Sequence, residues 1–182
     1  MKLLREIVGA EACFFSADEA VKALYEEKLV VEALVAEFGP EVLERNGERK
    51  LNRSWLREQV LPVPALRARL EKVLHPRVFE RFEEARVAAA PQSKVFVAEV
   101  PLHYECGSTV SADLVIVVAA SRSVQVRRMM ENRGLDEQTV QSFLNAQWSI
   151  AAKAERADIV IWNDGGMPAL EAQALTLVRS QL

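Results

Sequence analysis

Four apolar runs in the sequence have the length and composition of buried β-strands, and helical patterns separate them. The runs cover residues 12–15, 95–100, 113–119 and 159–162, and they consist largely of Val, Ile, Phe and Ala. Between the runs, apolar residues recur at the three- and four-residue spacing of amphipathic helices. Strands that alternate with helices predict an α/β protein with a parallel sheet.

The segment 94–105 is the centre of this pattern, because its strand continues into a polar loop. The run at 95–100 is apolar on both faces, which is typical of a parallel strand covered by helices on each side. Glu99 interrupts the run at its carboxyl end, where open α/β sheets place their ligands. Two interpretations of Glu99 stay open here, a site residue and a paired structural charge.

Helical spacing near the N-terminus predicts two helices that end at glycine. Residues 1–8 place their leucines and branched residues on one face, and Gly9 suits the position beyond the last turn. Residues 29–38 form a second amphipathic segment that stops at Gly39.

A capping box is predicted between these two helices. Ser16 is followed three residues later by Glu19, which favours a helix that runs to about Glu27. Asp18 then lies in the first turn of this helix, near the end of the strand at 12–15.

Residues 28–90, which precede the strand at 95–100, form a predicted all-helical insertion. Asn46-Gly47 marks a turn in it, and Asn52 can cap a helix. Apolar positions on one face predict a helix over 65–74, and Pro76 is placed to start a separate helix that runs to about Ala90. An insertion of this size is expected to cover an acceptor pocket.

The C-terminal half contains residues that typically begin or end helices. Ser121 or Ser123 can cap the helix after the strand at 113–119, and Gly134 can close it. Asp136 can cap the following helix, and Pro168 can start the last one.

Length and charge narrow the class of protein. A chain of 182 residues, half of them apolar, can bury one sizeable core, which predicts a single domain over residues 1–182. The net charge of −3 argues against a dedicated nucleic-acid binder. The longest apolar run, 114–120, is far too short to span a membrane, and no signal-peptide core is visible at the N-terminus. We expect a cytoplasmic protein.

Cysteines and histidines give little evidence of chemistry by themselves. Cys13 and Cys106 lack metal-ligand spacing and are expected to be buried free thiols. His75 and His103 are more often structural than catalytic when no Ser, Cys or metal partner is visible, although His103 lies in the loop after the principal strand.

Charged residues in two regions suggest phosphoryl transfer. Its transition state spreads negative charge over three oxygens, so several cations must surround the transferred group. A cluster that satisfies this requirement contains Arg127, Arg128, Arg133, Lys153 and Arg156. Taken alone, the cluster is more typical of a solvated basic face than of a phosphate clamp. Asp18 can accept a proton from a hydroxyl nucleophile, or it can simply face the helix dipole.

Taken together and in order, the motifs resemble those of the dephospho-CoA kinases, which are P-loop kinases, and the resemblance covers essentially the whole chain. The matching segments are Ser16-Ala17-Asp18 with Lys22, Phe38-Gly39-Pro40-Glu41-Val42-Leu43, Leu51-Asn52-Arg53 through Leu56-Arg57, Leu74-His75-Pro76, Glu99-Val100-Pro101-Leu102-His103-Tyr104-Glu105, Gln125 with Arg128, and Gln147, Lys153, Arg156-Ala157-Asp158 and Asn163.

The resemblance implies a fold and an activity. The fold is a P-loop NTPase-like three-layer parallel sheet with a helical acceptor-side insertion at 28–90 and a lid at 133–156. The activity is transfer of the ATP γ-phosphoryl group to the ribose 3′-hydroxyl of dephospho-CoA in coenzyme A biosynthesis. ATP is then the co-substrate, Mg²⁺ accompanies it, and dephospho-CoA is the acceptor.

The resemblance also implies roles for particular residues. Asp18 is the expected general base, and Arg128 and Arg133 are expected to face the ATP phosphates, with Asn163 at the adenine. The dephospho-CoA side is expected to be lined by Lys22, His75, Pro101, Leu102, Tyr104 and Glu105.

The chain departs from the family pattern at its start. The family begins with a strand and a Gly-x-x-x-x-Gly-Lys-Ser/Thr loop, and these 182 residues contain no such loop. Losing three charge-assisted hydrogen bonds to the phosphates, at roughly 1.5–3 kcal/mol each, weakens transition-state binding by about 5 kcal/mol. That corresponds to more than about a thousandfold in rate. We therefore expect a poor kinase, and we favour an unrecorded N-terminal segment as the explanation.

The absent strand is expected at the centre of the sheet, between the strands at 95–100 and 113–119. Either these two strands pair with each other, or their edges stay open for a strand outside the given sequence. Smaller departures are Ser16 in place of an Asp, and Leu102-His103 in place of Leu-Leu.

Two other functions stay open from the sequence. One is a non-catalytic relative that binds CoA or a nucleotide, and the other is a different nucleoside or nucleotide kinase. The oligomeric state is not predicted.

Overall fold

The computed structural model describes residues 1–45, 49–91, 93–105, 107 and 110–181. The chain divides into two compact units, Ala10–Val100 and the combination of Met1–Gly9 with Pro101–Leu182. The predicted turn at Asn46-Gly47 and the predicted thiol of Cys106 lie outside the described residues. The single-domain assignment stays a prediction.

The unit at 10–100 contains a parallel pair of strands and a group of helices. The strands are β1 (Ala12–Ser16) and β2 (Val95–Glu99), and they pair in parallel with Ala12 opposite Val95 and Ser16 opposite Glu99. The helices are α2 (Ala17–Leu24), α3 (Lys28–Phe38), the short α4 (Arg53–Trp55), which continues into a π-helical turn at Leu56–Val60, and α5 (Pro64–Ala89).

The core of this unit lies among its helices. Apolar side chains from α2, α3, α5 and the connecting segments are almost fully buried; they are Leu24, Val30, Val31, Leu34, Val42, Leu51, Leu56, Val60, Leu70 and Leu74. The strands pack on α5 through aromatic rings. Phe82 meets Phe15 and Phe96 edge to face, at centroid distances of 5.6 and 5.5 Å. Helix α5 is therefore the element that joins the strands to the helical core.

Helix α5 corrects one prediction. Pro76 was expected to start a separate helix, but α5 runs unbroken through it. An internal proline costs about 3 kcal/mol because it lacks the N–H and crowds the preceding turn. Burial of Leu70, Leu74 and Phe82 on both sides of Pro76 outweighs this cost, at about 1.5–3 kcal/mol for each side chain. Arg77 Nη1 also donates to the carbonyl of Val73, in the turn before the proline, at 2.8 Å.

The second unit contains a parallel pair of its own. Its strands are β3 (Ile116–Ala119) and β4 (Ile159–Trp162), with Ile116 opposite Ile159. Its helices are α1 (Lys2–Val8), α6 (Arg122–Arg133), α7 (Glu137–Asn145), α8 (Ile150–Ala154) and α9 (Met167–Gln181). Helix α9 packs against both β4 and α1.

The edge of β4 is closed by a side chain. Trp162 N donates to Gln173 Oε1 at 3.0 Å, and Gln173 Nε2 donates to Trp162 O at 2.8 Å. Gln173 lies on α9, so this helix satisfies both backbone polar groups of the last residue of β4.

The predicted elements are largely confirmed, with shifts at their ends. Helix α2 ends at Leu24 rather than near Glu27, and β3 begins at Ile116 rather than Asp113. Val115, just before β3, donates its N–H to Asp158 Oδ2 at 2.7 Å, so a side chain takes the place of a ladder partner there.

The predicted α/β class with parallel strands is confirmed. Because β2 pairs with β1 and β3 pairs with β4, the alternative in which β2 and β3 pair with each other is not found in the described part of the chain. Of the helices at 1–45, 49–91 and 110–181, none combines the length and apolar character that crossing a bilayer requires.

The helical core predicts that two leucines of α3 contribute very differently to the free energy of unfolding. Leu34 is 0 % exposed, whereas Leu29 on the same helix is 72 % exposed. Leu34→Ala should lower the free energy of unfolding by about 2–5 kcal/mol, because it leaves a cavity. Leu29→Ala should change it by less than about 0.5 kcal/mol. Urea unfolding followed by circular dichroism measures both, and equal losses would contradict the position of this core.

Candidate active site

The carboxyl ends of β1 and β2 lie at one edge, which carries Glu99 at the end of β2 and Asp18 in the helix turn that follows β1. Ser16 ends β1 directly opposite Glu99, which ends β2. The Ser16 hydroxyl accepts a hydrogen bond from Glu19 N at 3.4 Å, so the predicted cap of α2 is present and Asp18 lies in its first turn. Glu99 is exposed and forms no ion pair with the described residues, so they provide no partner for a structural charge.

Asp18 and Lys22 share one face of α2. They are four residues apart, which places them one above the other on a helix, and both are exposed. Helix α2 packs against α5, which carries His75 as a half-buried residue directly before Pro76. The unit at 10–100 therefore holds three of the predicted site residues on two helices in contact.

The loop after β2 belongs to the second unit and is partly buried. Pro101 and Leu102 are exposed, whereas Tyr104 and Glu105 are half-buried. The His103 ring meets the Tyr104 ring edge to face, at a centroid distance of 5.1 Å. The predicted acceptor-side residues of this loop thus divide into an exposed pair and an enclosed pair.

Glu105 makes a buried ion pair with Lys153. The Lys153 Nζ lies 2.7 Å from Glu105 Oε1, and the two side chains are only 11 % and 14 % exposed. Trp148 N donates to the same oxygen at 3.1 Å. Burial acts to raise the pKa of the Glu105 carboxyl, but the hydrogen bonds from Lys153 and the Trp148 amide outweigh it. The pKa therefore lies below its usual value, and the carboxylate is ionised at neutral pH.

Aromatic stacking fixes the neighbouring tyrosine. The Tyr104 and Trp148 rings stack at 5.8 Å with an angle of 10° between their planes. The Arg156 guanidinium lies 4.8 Å from the centroid of the Trp148 ring, a cation–π distance. Residues 148–156 therefore contact the loop at 101–105 through an ion pair, a backbone hydrogen bond and a ring stack.

Two polar atoms of this loop are buried without a partner. They are Tyr104 Oη and Glu105 Oε2, and neither has a hydrogen-bond partner among the described residues. A buried polar atom without a partner is costly, so such atoms often mark functional positions.

Helix α6 carries the predicted phosphate-side cations. Arg128 is half-buried and Arg133 is exposed at the last residue of the helix. Gly134 follows with φ of 63°, the left-handed conformation that ends a helix most easily at glycine. Of the other cations in the basic cluster, Lys153 pairs with Glu105 and Arg156 lies over the Trp148 ring. These two cations therefore already have partners within the protein.

The carboxyl ends of β3 and β4 hold Asn163 near the start of α6. Asn163 N donates to Ala119 O at 2.7 Å, and Ser121 N donates to Asp164 Oδ1 at 2.6 Å. Ser121 occupies the position before α6, as predicted, although its side chain makes no capping hydrogen bond. The predicted adenine-side residue therefore lies at the carboxyl edge of this second parallel pair.

Sequence reasoning missed the role of Trp148 and the partner of Lys153. Lys153 was assigned to a basic cluster and to a motif of the predicted lid, and Trp148 only fell within that lid. The pairs Glu105–Lys153 and Tyr104–Trp148 join residues more than 40 positions apart, and one sequence carries no signal for such pairing.

Metal-binding residues do not cluster in the described residues: no group of three or more His, Cys, Asp or Glu could hold an ion by itself. Cys13 is a free, half-buried thiol, in line with its prediction as a free thiol but less buried than expected.

Comparison with known families gives one match over most of the chain. Residues 8–169 match the sequence profile described as dephospho-CoA kinase. A dephospho-CoA kinase from Syntrophotalea carbinolica is 33 % identical over 165 residues, which is 90 % of this chain and 77 % of that protein. One from Thermobifida fusca is 36 % identical over 170 residues, or 93 % and 84 % of the two chains.

Solved structures share this fold, and one of the two described below is named as a dephospho-CoA kinase. TT1252 from Thermus thermophilus superposes with a TM-score of 0.81 at 28 % identity, covering 100 % of this chain and 88 % of that one. A dephospho-CoA kinase from Campylobacter jejuni superposes with a TM-score of 0.66 at 25 % identity, covering 98 % and 90 %.

A pH prediction follows from the cap of α7. Asp136 accepts hydrogen bonds from Thr139 N at 2.9 Å and Thr139 Oγ1 at 2.6 Å, and the Thr139 hydroxyl lowers the carboxyl pKa most. A depressed pKa in the folded protein stabilises it above the unfolded pKa, and this stabilisation is lost as pH falls through the folded pKa.

The test compares the protein with Asp136→Asn, which keeps a capping oxygen but does not titrate. The melting temperature of the unaltered protein should fall relative to that of Asp136→Asn as pH is lowered from 7 to below the usual value of 3.8. Parallel melting curves over this range would contradict the assignment.

Proposed function

The chain belongs to the dephospho-CoA kinase family, and we propose that it transfers the γ-phosphoryl group of ATP to the ribose 3′-hydroxyl of dephospho-CoA. The observation that carries this function is the family match over residues 8–169, which spans all the candidate site residues from Asp18 to Asn163. The reaction belongs to coenzyme A biosynthesis, and ATP is the co-substrate.

The chemical step needs one proton acceptor. The acceptor hydroxyl oxygen attacks the γ-phosphorus, a new P–O bond forms, and the bond between the γ-phosphorus and the bridging oxygen breaks to release ADP. We assign Asp18 as the base that takes the hydroxyl proton, because an exposed carboxylate at the carboxyl end of a parallel strand is open to a ligand.

Two arginines on α6 are proposed to bind the ATP phosphates. Arg128 and Arg133 can donate charge-assisted hydrogen bonds to phosphate oxygens, which are stronger than neutral ones. Asn163 offers both an amide donor and an acceptor, which matches the edge of adenine. Residues 133–156, which contain α7 and α8, are proposed to act as the lid.

The acceptor side is proposed to consist of Lys22, His75, Pro101, Leu102, Tyr104 and Glu105. Lys22 supplies a positive charge for an acidic ligand, and Leu102 supplies exposed apolar surface. The helical insertion at 28–90 is proposed to recognise the acceptor.

Mg²⁺ is part of the proposal as the partner of ATP. In kinases this ion is held by one or two carboxylates together with substrate phosphates, so a large protein cluster is not needed. Glu99, at the same strand edge as the base Asp18, is the carboxylate that fits this requirement. The ion neutralises phosphate charge when bound.

We also propose that the protein is located in the cytoplasm.

The reduced rate expected from the absence of a Gly-x-x-x-x-Gly-Lys-Ser/Thr loop in these residues stays a prediction. Assays should therefore use the 182-residue chain and, in parallel, a version extended at its N-terminus by the strand and loop typical of the family. Binding of dephospho-CoA without turnover in both versions would instead identify a binding protein.

Removal of the base should abolish most activity. Asp18→Asn keeps the size of the side chain but cannot accept the proton, so kcat should fall by at least about a hundredfold. Glu19→Gln, the neighbouring change on the same helical turn, should leave kcat within about twofold, since surface changes have small effects. ADP release in the presence of dephospho-CoA measures both. Robust turnover by Asp18→Asn would refute the assignment of the base.

Removal of a phosphate-side cation should affect ATP specifically. Arg128→Ala should lower kcat/KM for ATP by about 10- to 150-fold, which corresponds to a lost hydrogen bond of about 1.5–3 kcal/mol to a charged group. Arg179→Ala, an exposed arginine on α9, removes the same charge and should have little effect. Equal effects of the two changes would indicate a general electrostatic contribution instead.

A further inference from the structure

The Glu105–Lys153 pair differs from the other ion pairs of the described residues in its burial. In the other pairs each side chain is at least 35 % exposed, whereas here the two are 14 % and 11 % exposed. Exposed pairs contribute little to stability. A buried pair behaves differently, because removing one partner leaves an uncompensated charge. Lys153 is therefore a buried lysine that pairs with one carboxylate, that of Glu105, in the loop that follows β2.

The hydrogen bonding of this carboxylate is one-sided. Lys153 Nζ and Trp148 N both bind Oε1, while Oε2 is buried and has no partner in the described residues. The Tyr104 hydroxyl is buried and unpartnered as well, although its ring is held by Trp148 on α8's N-terminal side and by the edge of His103. Each of the two side chains is thus held at one position and leaves one polar atom unused.

We propose that Lys153 and Trp148 are positioning residues that fix the Glu105 carboxylate and the Tyr104 ring, so that Glu105 Oε2 and Tyr104 Oη bind the acceptor substrate. This inference rests on the proposed function and adds two residues to it. Lys153 acts through Glu105, and the Trp148 ring acts through Tyr104, so neither needs to touch the substrate.

The chemistry of the two atoms limits what they bind. An ionised carboxylate only accepts hydrogen bonds, so Glu105 Oε2 requires an O–H or N–H donor. It repels phosphate. The Tyr104 hydroxyl can donate or accept. The pair therefore recognises hydroxyl, amide or amino groups of dephospho-CoA rather than its diphosphate. The titratable or charged side chains in this cluster are His103, Tyr104, Glu105, Lys153 and Arg156.

The first test needs no substrate. The titration of the Glu105 carboxyl is followed by carbon NMR in the unaltered protein and in Lys153→Met. Without the lysine, burial is opposed only by backbone hydrogen bonds, so the pKa of Glu105 should rise. An unchanged pKa would overturn the positioning role of Lys153, whatever the protein binds.

The second test measures substrate affinity by calorimetry. Lys153→Met should weaken dephospho-CoA binding about tenfold or more at neutral pH, as expected when a hydrogen bond to a charged group is lost. ATP affinity should change by less than about twofold. The acid limb of dephospho-CoA binding should move to higher pH in Lys153→Met and be absent in Glu105→Gln. Lys153→Arg should restore most of the affinity.

A control and an independent variant separate positioning from stability. Lys94→Met removes an exposed lysine, 78 % exposed, from its ion pair with Glu11 and should leave dephospho-CoA affinity unchanged. Trp148→Ala removes the ring stack but keeps the backbone hydrogen bond, and should weaken dephospho-CoA binding more than Trp148→Phe does. This pair also serves as the test if Lys153→Met does not fold.

The outcomes distinguish the two proposals. If Lys153→Met raises the Glu105 pKa but dephospho-CoA affinity stays the same, the pair is structural and the inference is wrong. If the unaltered protein, also in its N-terminally extended version, binds no dephospho-CoA, the proposed function fails and the substrate part of the inference fails with it. The NMR titration then still decides whether Lys153 positions Glu105.

Discussion

Parallel strand pairing is the constraint on which the candidate site depends. In a parallel pair both strands end at the same edge, so residues far apart in sequence are brought together there. Ser16 and Glu99 meet in this way in one unit, and Ala119 and Trp162 in the other. The polar residues that follow each strand therefore collect at defined edges, and α2 and α6 begin at those edges. The register of four short strands thus determines where the acidic and amide side chains of the site lie.

Local sequence signals predicted most of this architecture. Caps at Ser16, Asn52 and Asp136 and the glycines after α1, α3 and α6 all act within a few residues, so their effects are visible without the fold. The continuous helix α5 was not predicted, because Pro76 is a strong local signal for a boundary. Burial of apolar side chains on both sides of the proline decides the outcome, and burial is a property of the tertiary structure.

The candidate site was predictable to a smaller extent. The positions of Asp18 and Asn163 at strand ends follow from the strand pattern, and the resemblance to a family suggested their roles. The enclosure of Glu105 could not be predicted, because it requires Lys153 and Trp148, which arrive from a different part of the chain. The same cations that form a basic cluster in sequence are divided by the fold, with Lys153 paired to a carboxylate and Arg156 placed over an aromatic ring. Charge patterns in sequence count the cations but do not show which of them are already neutralised.

The contact between Gln173 and Trp162 has a consequence for association between molecules. An outermost strand normally offers free N–H and C=O groups, onto which a strand of another molecule can add. At Trp162 both groups are occupied by a single amide side chain, which imitates the hydrogen bonding of a neighbouring strand. Growth of this sheet by a foreign strand is therefore blocked at that residue. Helix α9 thus covers the end of this strand edge in addition to packing against β4.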